Sequence, residues 1–268
     1  MRLSSVLLVL AVLATALVPV AVSAQAVDDF AYVPATNLGG QNGGSGWAGP
    51  WGSSSPFSPA FTITSGGLTF PGLITSGNAV RTNYSGSSWA YINRFTSASY
   101  GAPNSSTWVQ FLVRPDTGFG QWGSMVLGGA YWATNSVTVG LNSDNTGTYL
   151  YIQQGPNPPI RTPFAYSAGN TYLVQAKFDI DGTGSLVNVK AYAWVNNIMP
   201  TASVTANGLN WSGVGNSLQL YSSGDYTYDQ FHVGDTPDDP VPEAGTMVAL
   251  GSFLSMGGVF LRRRFSKS

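Results

Sequence analysis

Strict alternation of apolar and polar residues in two neighbouring segments constrains the fold of this chain more than any other feature. Every second residue of segment 172–180 is apolar, starting from Tyr172, and segment 187–195 repeats the pattern from Val187. A period of two is the period of a β-strand with one buried face. The intervening Asp-Gly-Thr-Gly at 181–184 favours a turn. The two segments therefore predict a β-hairpin.

Short segments of the same kind occur along the rest of the chain. Glycine-rich turns separate them, and good helix formers are scarce outside the two ends of the chain. The further predicted strands are 61–70 (a hairpin about 65–67), 89–95, 107–114, 124–128, 136–141, 148–153, 217–221 and 227–234. This organisation is typical of an all-β protein and predicts an antiparallel β-sandwich.

The N-terminal residues have the pattern of an export signal. Arg2 precedes an apolar stretch over 6–18, and the small residues of 22–24 follow Pro19. A basic start, an apolar centre and a small-residue cleavage site predict a secretory signal peptide over 1–24. The mature chain then begins near Gln25.

The C-terminal residues form a second signal-like segment. An apolar run over 247–261 is followed by three arginines at 262–264. As a helix the run measures roughly 22 Å, against a hydrocarbon core of about 30 Å. Basic residues behind an apolar segment hold that end on the cytoplasmic side of a membrane. A short helix with a basic stop predicts transient association with the inner membrane before proteolytic removal.

This tail resembles the PEP-CTERM sorting signal, which membrane proteases called exosortases process in bacteria that produce exopolysaccharide. The resemblance covers 241–264, within a predicted signal of 241–268, and departs from the family's Pro-Glu-Pro at Ala244. The matching residues are Val241, Pro242, Glu243, Gly245, Thr246, Arg262, Arg263 and Arg264. It implies an exosortase as a partner and a final location at the cell surface or in the extracellular matrix.

The charge of the predicted mature chain argues against one class of partner. Residues 25–240 carry six basic residues and eleven aspartates, a net charge of −5. The sequence shows no basic patch, so no nucleic-acid partner is expected. The chain contains no cysteine, so stability must come from the core. The length of 25–235 suits one domain, with a linker over 236–240.

The two ends of this domain carry a second resemblance. Asp28-Asp29-Phe30, the Gly-rich 43–47 and Trp51 look like the opening of concanavalin A-like or laminin G-like jelly-roll domains, and 228–234 looks like their last strand. The resemblance implies a concanavalin A-like jelly roll. Fold alone does not assign a function.

The pattern of acidic residues argues against glycoside hydrolysis. That reaction generally needs two carboxyl groups, and the only glutamate is Glu243, inside the sorting signal. Asp179 and Asp181 share a strand face, but Gly182 follows at once, which favours capping of the turn. The only histidine, His232, is predicted to be exposed on a strand. A lyase that uses Tyr228 with His232 remains as an alternative.

A structural calcium ion is a further hypothesis. Sandwich domains of this kind hold Ca²⁺ through loop aspartates and backbone carbonyls. Asp28, Asp29 and Asp229 come together if the first and last strands are neighbours, with Asp225 as a substitute for Asp229. Separate sites at Asp144 or Asp181 are also open, and so is the reading that all of these aspartates serve turns and strand ends. No other cofactor is expected.

Aromatic residues provide the strongest positive indication of function. Their planes stack on sugar rings, and neighbouring amides bind the hydroxyls. The outward face of two strands is predicted to present Tyr149, Tyr151, Lys190, Tyr192, Trp194 and Asn196 as a glycan-binding row. The alternative is that these aromatics pack beneath long loops. The other tryptophans are interpreted as clamps in loops, and they are Trp47, Trp51, Trp89, Trp122, Trp132 and Trp211.

Together these features predict an exported, non-catalytic protein of the cell surface or exopolysaccharide matrix. Its role is structural or glycan-associating. A specific carbohydrate-binding lectin-like module and an atypical polysaccharide lyase or glycosidase are the two alternatives.

Overall fold

The part of the chain that the structure describes is built from β-strands and turns. The computed structural model describes residues 26–52, 61–73, 75–82, 89–117, 122–128, 133–196, 199–211 and 215–236. Within these ranges no residue is helical, and no helix long and apolar enough to cross a membrane is found there. The predicted signal peptide 1–24, the apolar run 247–261 and the sorting signal 241–268 lie outside the described residues.

The strands form two antiparallel sheets, as the alternating segments predict. They are β1 (Ala26–Asp28), β2 (Phe61–Thr64), β3 (Ala79–Thr82), β4 (Ala90–Tyr100), β5 (Ser106–Pro115), β6 (Trp122–Leu127), β7 (Val137–Asp144), β8 (Gly147–Gln154), β9 (Ile160–Pro163), β10 (Tyr172–Ile180), β11 (Leu186–Trp194), β12 (Ala202–Asn210), β13 (Gly215–Ser223) and β14 (Tyr226–Gly234). The eight-stranded sheet has the order β12-β11-β10-β5-β14-β3-β2, and β1 also pairs with β14. The six-stranded sheet has the order β4-β13-β6-β7-β8-β9.

The predicted hairpin is confirmed as β10 and β11. Ala176 lies opposite Ala191 in the register of this antiparallel pair. Asp181 closes the turn, because its carboxylate accepts hydrogen bonds from the backbone N–H groups of Thr183, Ser185 and Leu186. Gly184 adopts a φ of 73°, in the left-handed region that glycine tolerates best. The capping role expected of Asp181 is therefore observed.

The hairpin predicted over 61–70 is wrong. Only Phe61–Thr64 is a strand, and its partner is β3. The residues after it turn onto the outer side of the eight-stranded sheet. There Leu68 and Phe70 pack against Leu112 and Leu173. Burial in this second apolar cluster replaces the strand pairing that the apolar pattern of 61–70 indicated.

The main core lies between the two sheets. Their inward-facing residues form one apolar cluster with Phe111 of β5 and Val174 of β10 on one side and Met125 of β6 and Ile152 of β8 on the other. All four are fully buried. This arrangement is an antiparallel β-sandwich, which confirms the predicted fold class at that level.

Segment 29–52 joins the edges of the two sheets. It hydrogen bonds to edge strand β2 through Leu38 and Phe61, and to edge strand β4 through Gly52 and Asn93. The side chain of Arg94, on β4, projects inward beneath this segment and is 1% exposed. The segment therefore closes one side of the sandwich over a buried charge.

The buried guanidinium of Arg94 is fully surrounded by acceptors and rings. It forms an ion pair with Asp28 of β1 and donates hydrogen bonds to the carbonyl oxygens of Gly43 and Gly49 at 2.9 Å each. The Asn42 side chain is a further acceptor, and the rings of Trp47 and Trp51 lie 4.7 Å and 5.6 Å from the guanidinium carbon. These two tryptophans are clamps, as predicted.

Candidate functional site

The outer side of the six-stranded sheet carries two adjoining hollows. One measures about 500 Å³ and is lined by Trp122, Asn142, Ser143, Asp144, Asn145, Pro158, Pro159 and Arg161. The other measures about 360 Å³ and is lined by Trp122, Gln153, Pro156, Asn157, Pro158, Pro159, Tyr221 and Ser223. Because Trp122, Pro158 and Pro159 line both, we treat the pair as one feature and call it the cleft.

Strand register explains why these side chains meet. Trp122 of β6 lies opposite Asn142 of β7, which in turn lies opposite Tyr149 of β8. All three project outward, because the alternate residues of these strands, such as Leu141, enter the core. The interpretation of Trp122 as a loop clamp is therefore wrong. It is a residue of β6 itself, two positions before the segment 124–128 that predicted this strand.

Tyr151 forms the floor of this side of the sheet and is not an exposed platform, contrary to the prediction. Its side chain is fully buried. The hydroxyl donates a 2.8 Å hydrogen bond to Oγ of Ser124, and the ring meets that of Trp122 edge-on at 4.8 Å. The cross-strand neighbours of Tyr151 include Gly140, and a residue without a side chain leaves room for a large ring. Tyr151 thus supports Trp122 from below.

Gln153 lines the second hollow of the cleft, and only one end of its amide is hydrogen bonded. The residue is 5% exposed, and its Nε2 donates to the carbonyl oxygen of Asn157 at 2.8 Å. That bond fixes the orientation of the amide. Its buried Oε1 has no hydrogen-bond partner within the described residues. An unsatisfied buried acceptor is costly to the folded state.

A charged pair occupies the other end of the cleft. Arg161 of β9 forms an ion pair with Asp144 of β7, and its guanidinium carbon lies 4.2 Å from the ring centre of Tyr149. Hydrogen bonds from Thr146, together with Arg161, lower the pKa of Asp144 to about 2. Both residues are accessible, at 35% and 38% exposed side chain. Asp144 is thus ionised across the ordinary pH range.

The remaining residues of the predicted glycan-binding row lie on the other sheet. Lys190, Tyr192 and Trp194 project from β11 on the outer side of the eight-stranded sheet, and Asn196 is exposed just after that strand. Tyr192 stacks on Trp108 at 6.4 Å, with the Lys190 ammonium 5.1 Å from its ring. The single row that was predicted is therefore wrong, because the β8 and β11 residues face opposite sides of the molecule.

Packing under a loop is observed for one of these residues. Trp194 is partly buried against the second apolar cluster, which includes Leu68 and Phe70. Nearby, Gln175 is buried and donates to Gln110 at 2.7 Å. This side of the eight-stranded sheet is thus partly covered by its own loop, whereas the cleft is open.

Tyr228 and His232 do not form a pair. Tyr228 belongs to the core, where burial raises the pKa of its hydroxyl above the usual range. His232 lies on the other side of β14, opposite Gln110, and is half-buried rather than exposed as predicted. The geometry gives the proposed lyase pair no common site.

The three aspartates proposed as calcium ligands are brought near one another, since β1 pairs with β14. Asp28 is already the acceptor for Phe30, Tyr32, Trp51 and Arg94. Asp229 accepts the backbone N–H groups of Leu68 and Gln230. Asp29 accepts the Ser76 hydroxyl. Among the described residues no group of three or more acidic, histidine or cysteine side chains is placed to hold a metal ion.

Comparison with protein-family models and with curated proteins finds no match. Solved structures with a similar fold include domain 4 of AbnA, a GH43 extracellular arabinanase from Geobacillus stearothermophilus, in complex with arabinotriose. It is 16% identical with a TM-score of 0.45, over 72% of this chain and 87% of that one. An engineered GH43 glycoside hydrolase is 10% identical with a TM-score of 0.48, over 76% and 41%.

A third similar structure is the binding domain of botulinum neurotoxin serotype G. It is 11% identical with a TM-score of 0.47, over 78% of this chain and 48% of that chain. This chain therefore spans less than half the length of the neurotoxin domain and of the engineered hydrolase. These likenesses concern the fold.

Proposed function

We propose that this protein is a non-catalytic glycan-binding module, of the concanavalin A-like type, in an exported surface or matrix protein. The observation that carries the proposal is the cleft, where the indole of Trp122 lines both hollows. An indole plane suits the C–H face of a sugar ring, and neighbouring amide and charged side chains such as Asn142, Asn145 and Arg161 suit its hydroxyls. Both kinds of side chain line the first hollow.

The carboxylates of the cleft support a binding role. Cleavage of a glycosidic bond generally needs an acid and a second carboxylate on opposite sides of it. Of the described residues that line the two hollows, Asp144 alone is acidic. Its oxygens are engaged by Thr146 and Arg161. A single carboxylate that already accepts hydrogen bonds is better suited to bind a sugar hydroxyl than to act as an acid or a base.

The location is proposed from the two ends of the chain. Residues 1–24 have the order of a secretory signal, and residues 241–264 have the Pro-Glu pair, the apolar run and the basic stop of a PEP-CTERM signal. Processing by an exosortase would then release a glycan-binding module where exopolysaccharide is abundant. A structural calcium ion is not required by this proposal.

Binding of the purified protein to polysaccharides tests the proposal. We expect saturable binding to one or more polysaccharides of a broad panel, and we expect Trp122→Ala to weaken it by roughly tenfold or more, because anchor tryptophans carry much of the energy of an interface. Trp108→Ala is the matched control, since it removes an equivalent ring from the other sheet. Calorimetry would measure the affinities, and thermal unfolding would show that both variants fold.

Three results would reject the proposal. The first is the absence of binding to every polysaccharide in the panel. The second is unchanged affinity in folded Trp122→Ala. The third is product formation from a polysaccharide that is lost in Asp144→Asn, which would make the module an enzyme.

A further inference from the structure

The two hollows of the cleft lie side by side across the strands. The first reaches Arg161 of β9, and the second reaches Tyr221 of β13. Three strands separate β9 from β13, so the cleft extends over about 19 Å at the usual spacing of neighbouring strands. Trp122 stands where the two hollows adjoin. A ligand in contact with both ends must pass Trp122, Pro158 and Pro159, which line both hollows, and this requires an extended chain.

The charged end of the cleft is arranged to be neutral as a whole. Thr146 donates to one carboxylate oxygen of Asp144 through both its N–H and its hydroxyl. Arg161 donates to the other oxygen, and its guanidinium is held over Tyr149. A further contact holds each partner in place, so Asp144 is already paired with Arg161 before a ligand binds.

We infer that the cleft binds an internal stretch of an uncharged polysaccharide, and that Asp144 determines this specificity by occupying Arg161. The inference rests on the proposed function and adds the class of ligand to it. A neutral sugar can bind to the intact ion pair. Its hydroxyl groups donate hydrogen bonds to the carboxylate and accept hydrogen bonds from the remaining guanidinium N–H groups.

The same ion pair disfavours the binding of a carboxylate group on a ligand. It must compete with Asp144 for the guanidinium and lies close to a fixed negative charge, which is unfavourable at short range. The net charge of −5 over residues 25–240 adds a weaker long-range repulsion. An acidic polysaccharide is therefore excluded by the same residue that helps to hold a neutral one.

Removal of the Asp144 charge tests the inference. The probes are a panel of neutral polysaccharides, including β-glucan, xylan and pullulan, and polygalacturonate as the acidic polymer. We expect the wild-type protein to bind a neutral polymer and not polygalacturonate. Asp144→Asn is expected to gain affinity for polygalacturonate by roughly tenfold or more, because a released guanidinium forms charge-assisted bonds with carboxylates.

Two variants serve as controls for that gain. Asp144→Asn combined with Arg161→Gln is expected to lose it, since the cation is then absent. Asp179→Asn makes the same change of net charge on the other sheet, where Asp179 pairs with Lys177 at 2.7 Å. It is expected to leave polygalacturonate binding unchanged. A gain of equal size in Asp179→Asn would overturn the inference, because it would reflect net charge alone.

Chain length tests the internal mode of binding. Oligosaccharides cut from the polymer that binds are compared with their disaccharide, and the longer ones are expected to bind roughly tenfold or more tightly. Equal affinity for the disaccharide would overturn the inference. So would wild-type binding to polygalacturonate alone, or the absence of any gain in Asp144→Asn. In these cases Trp122-dependent binding still supports the proposed function, whereas binding to no polymer rejects that function itself.

Discussion

Two arginine–aspartate pairs in this molecule use the same chemical groups in opposite surroundings. Arg94 and Asp28 are 1% and 0% exposed and lie against two tryptophans, Trp47 and Trp51. Arg161 and Asp144 are accessible, at 35% and 38%, and lie against one tyrosine. The first pair joins the two sheets, because Arg94 belongs to β4 and Asp28 to β1. The second pair lies on the outer side of one sheet.

The difference shows how burial changes the role of an ion pair. Two buried charges are costly to desolvate, so each must be fully hydrogen bonded, and the loss of one leaves the other stranded. An exposed pair keeps most of its water and contributes little to stability. Its two charged groups remain accessible to the hydroxyl groups of a ligand. The buried pair thus serves the fold, and the exposed pair is available for recognition.

The largest expected effect comes from a substitution that breaks the buried Arg94–Asp28 pair. Arg94→Ala should lower the free energy of unfolding by about 3–5 kcal/mol, because it leaves the Asp28 carboxylate buried without its cation. Urea unfolding followed by tryptophan fluorescence would measure the change. Arg161→Ala is the matched variant, with a much smaller expected loss, because an exposed ion pair contributes little to stability. Losses of equal size would contradict the comparison.

An effect of intermediate size is expected in the pH dependence of stability, and it extends the comparison to the buried carboxyl groups of Asp28 and Asp229. Asp28 has a guanidinium partner, whereas the hydrogen bonds to Asp229 come from the backbone N–H groups of Leu68 and Gln230. Burial, with Asp29 and Asp28 nearby, raises the pKa of Asp229 to about 8, against about 3.9 in an unfolded chain. The folded state therefore binds this proton more tightly than the unfolded state does.

The sign of the pH dependence follows from that difference. The stabilisation from the Asp229 proton is complete below about pH 4 and is lost as the pH rises through about 8. We expect the free energy of unfolding to decrease over this range, and to vary less with pH in Asp229→Asn. Asp179→Asn should keep the wild-type slope. An unchanged slope in Asp229→Asn would show that another group causes the dependence.

The smallest expected effect concerns salt. The contribution of the exposed Arg161–Asp144 pair to stability should vanish in about 1 M sodium chloride, because the screening length falls to about 3 Å. The cost of Arg94→Ala should persist there, since buried charges are poorly screened. Unfolding of the wild type and the two arginine variants at low and high salt would measure both. Equal salt sensitivity would count against the assignment of roles.

The fold was largely predictable wherever a strand alternates clearly. β10 matches its predicted limits because an apolar residue occupies every second position and Asp181-Gly182 marks the turn. β12 was missed because alanine, serine, threonine, asparagine and glycine make up much of Ala202–Asn210, so neither face is marked as apolar. β3 and β9 are only four residues long, too short to show a period.

The candidate site was predicted only in part. Alternation correctly placed Tyr149 and Tyr151 on one face of β8, but it cannot tell which sheet a strand joins, and so it wrongly placed Lys190 beside them. The burial of Tyr151 depends on neighbours from other strands, Ser124 and Gly140, that no local pattern reveals. Trp122 had a usable signal, because it stands two residues before Ser124 in the alternating segment of β6.

The position of β14 has a consequence for the order in which the molecule forms. This last strand of the domain lies inside the eight-stranded sheet, between β5 and β3, and it is also the partner of β1. A growing polypeptide therefore cannot complete this sheet until Tyr226–Gly234 has been synthesised. Until then β1 has no strand to pair with in this sheet. Pairings so distant in sequence form slowly. The eight-stranded sheet of a nascent chain thus stays incomplete until almost all of the described strands have been made.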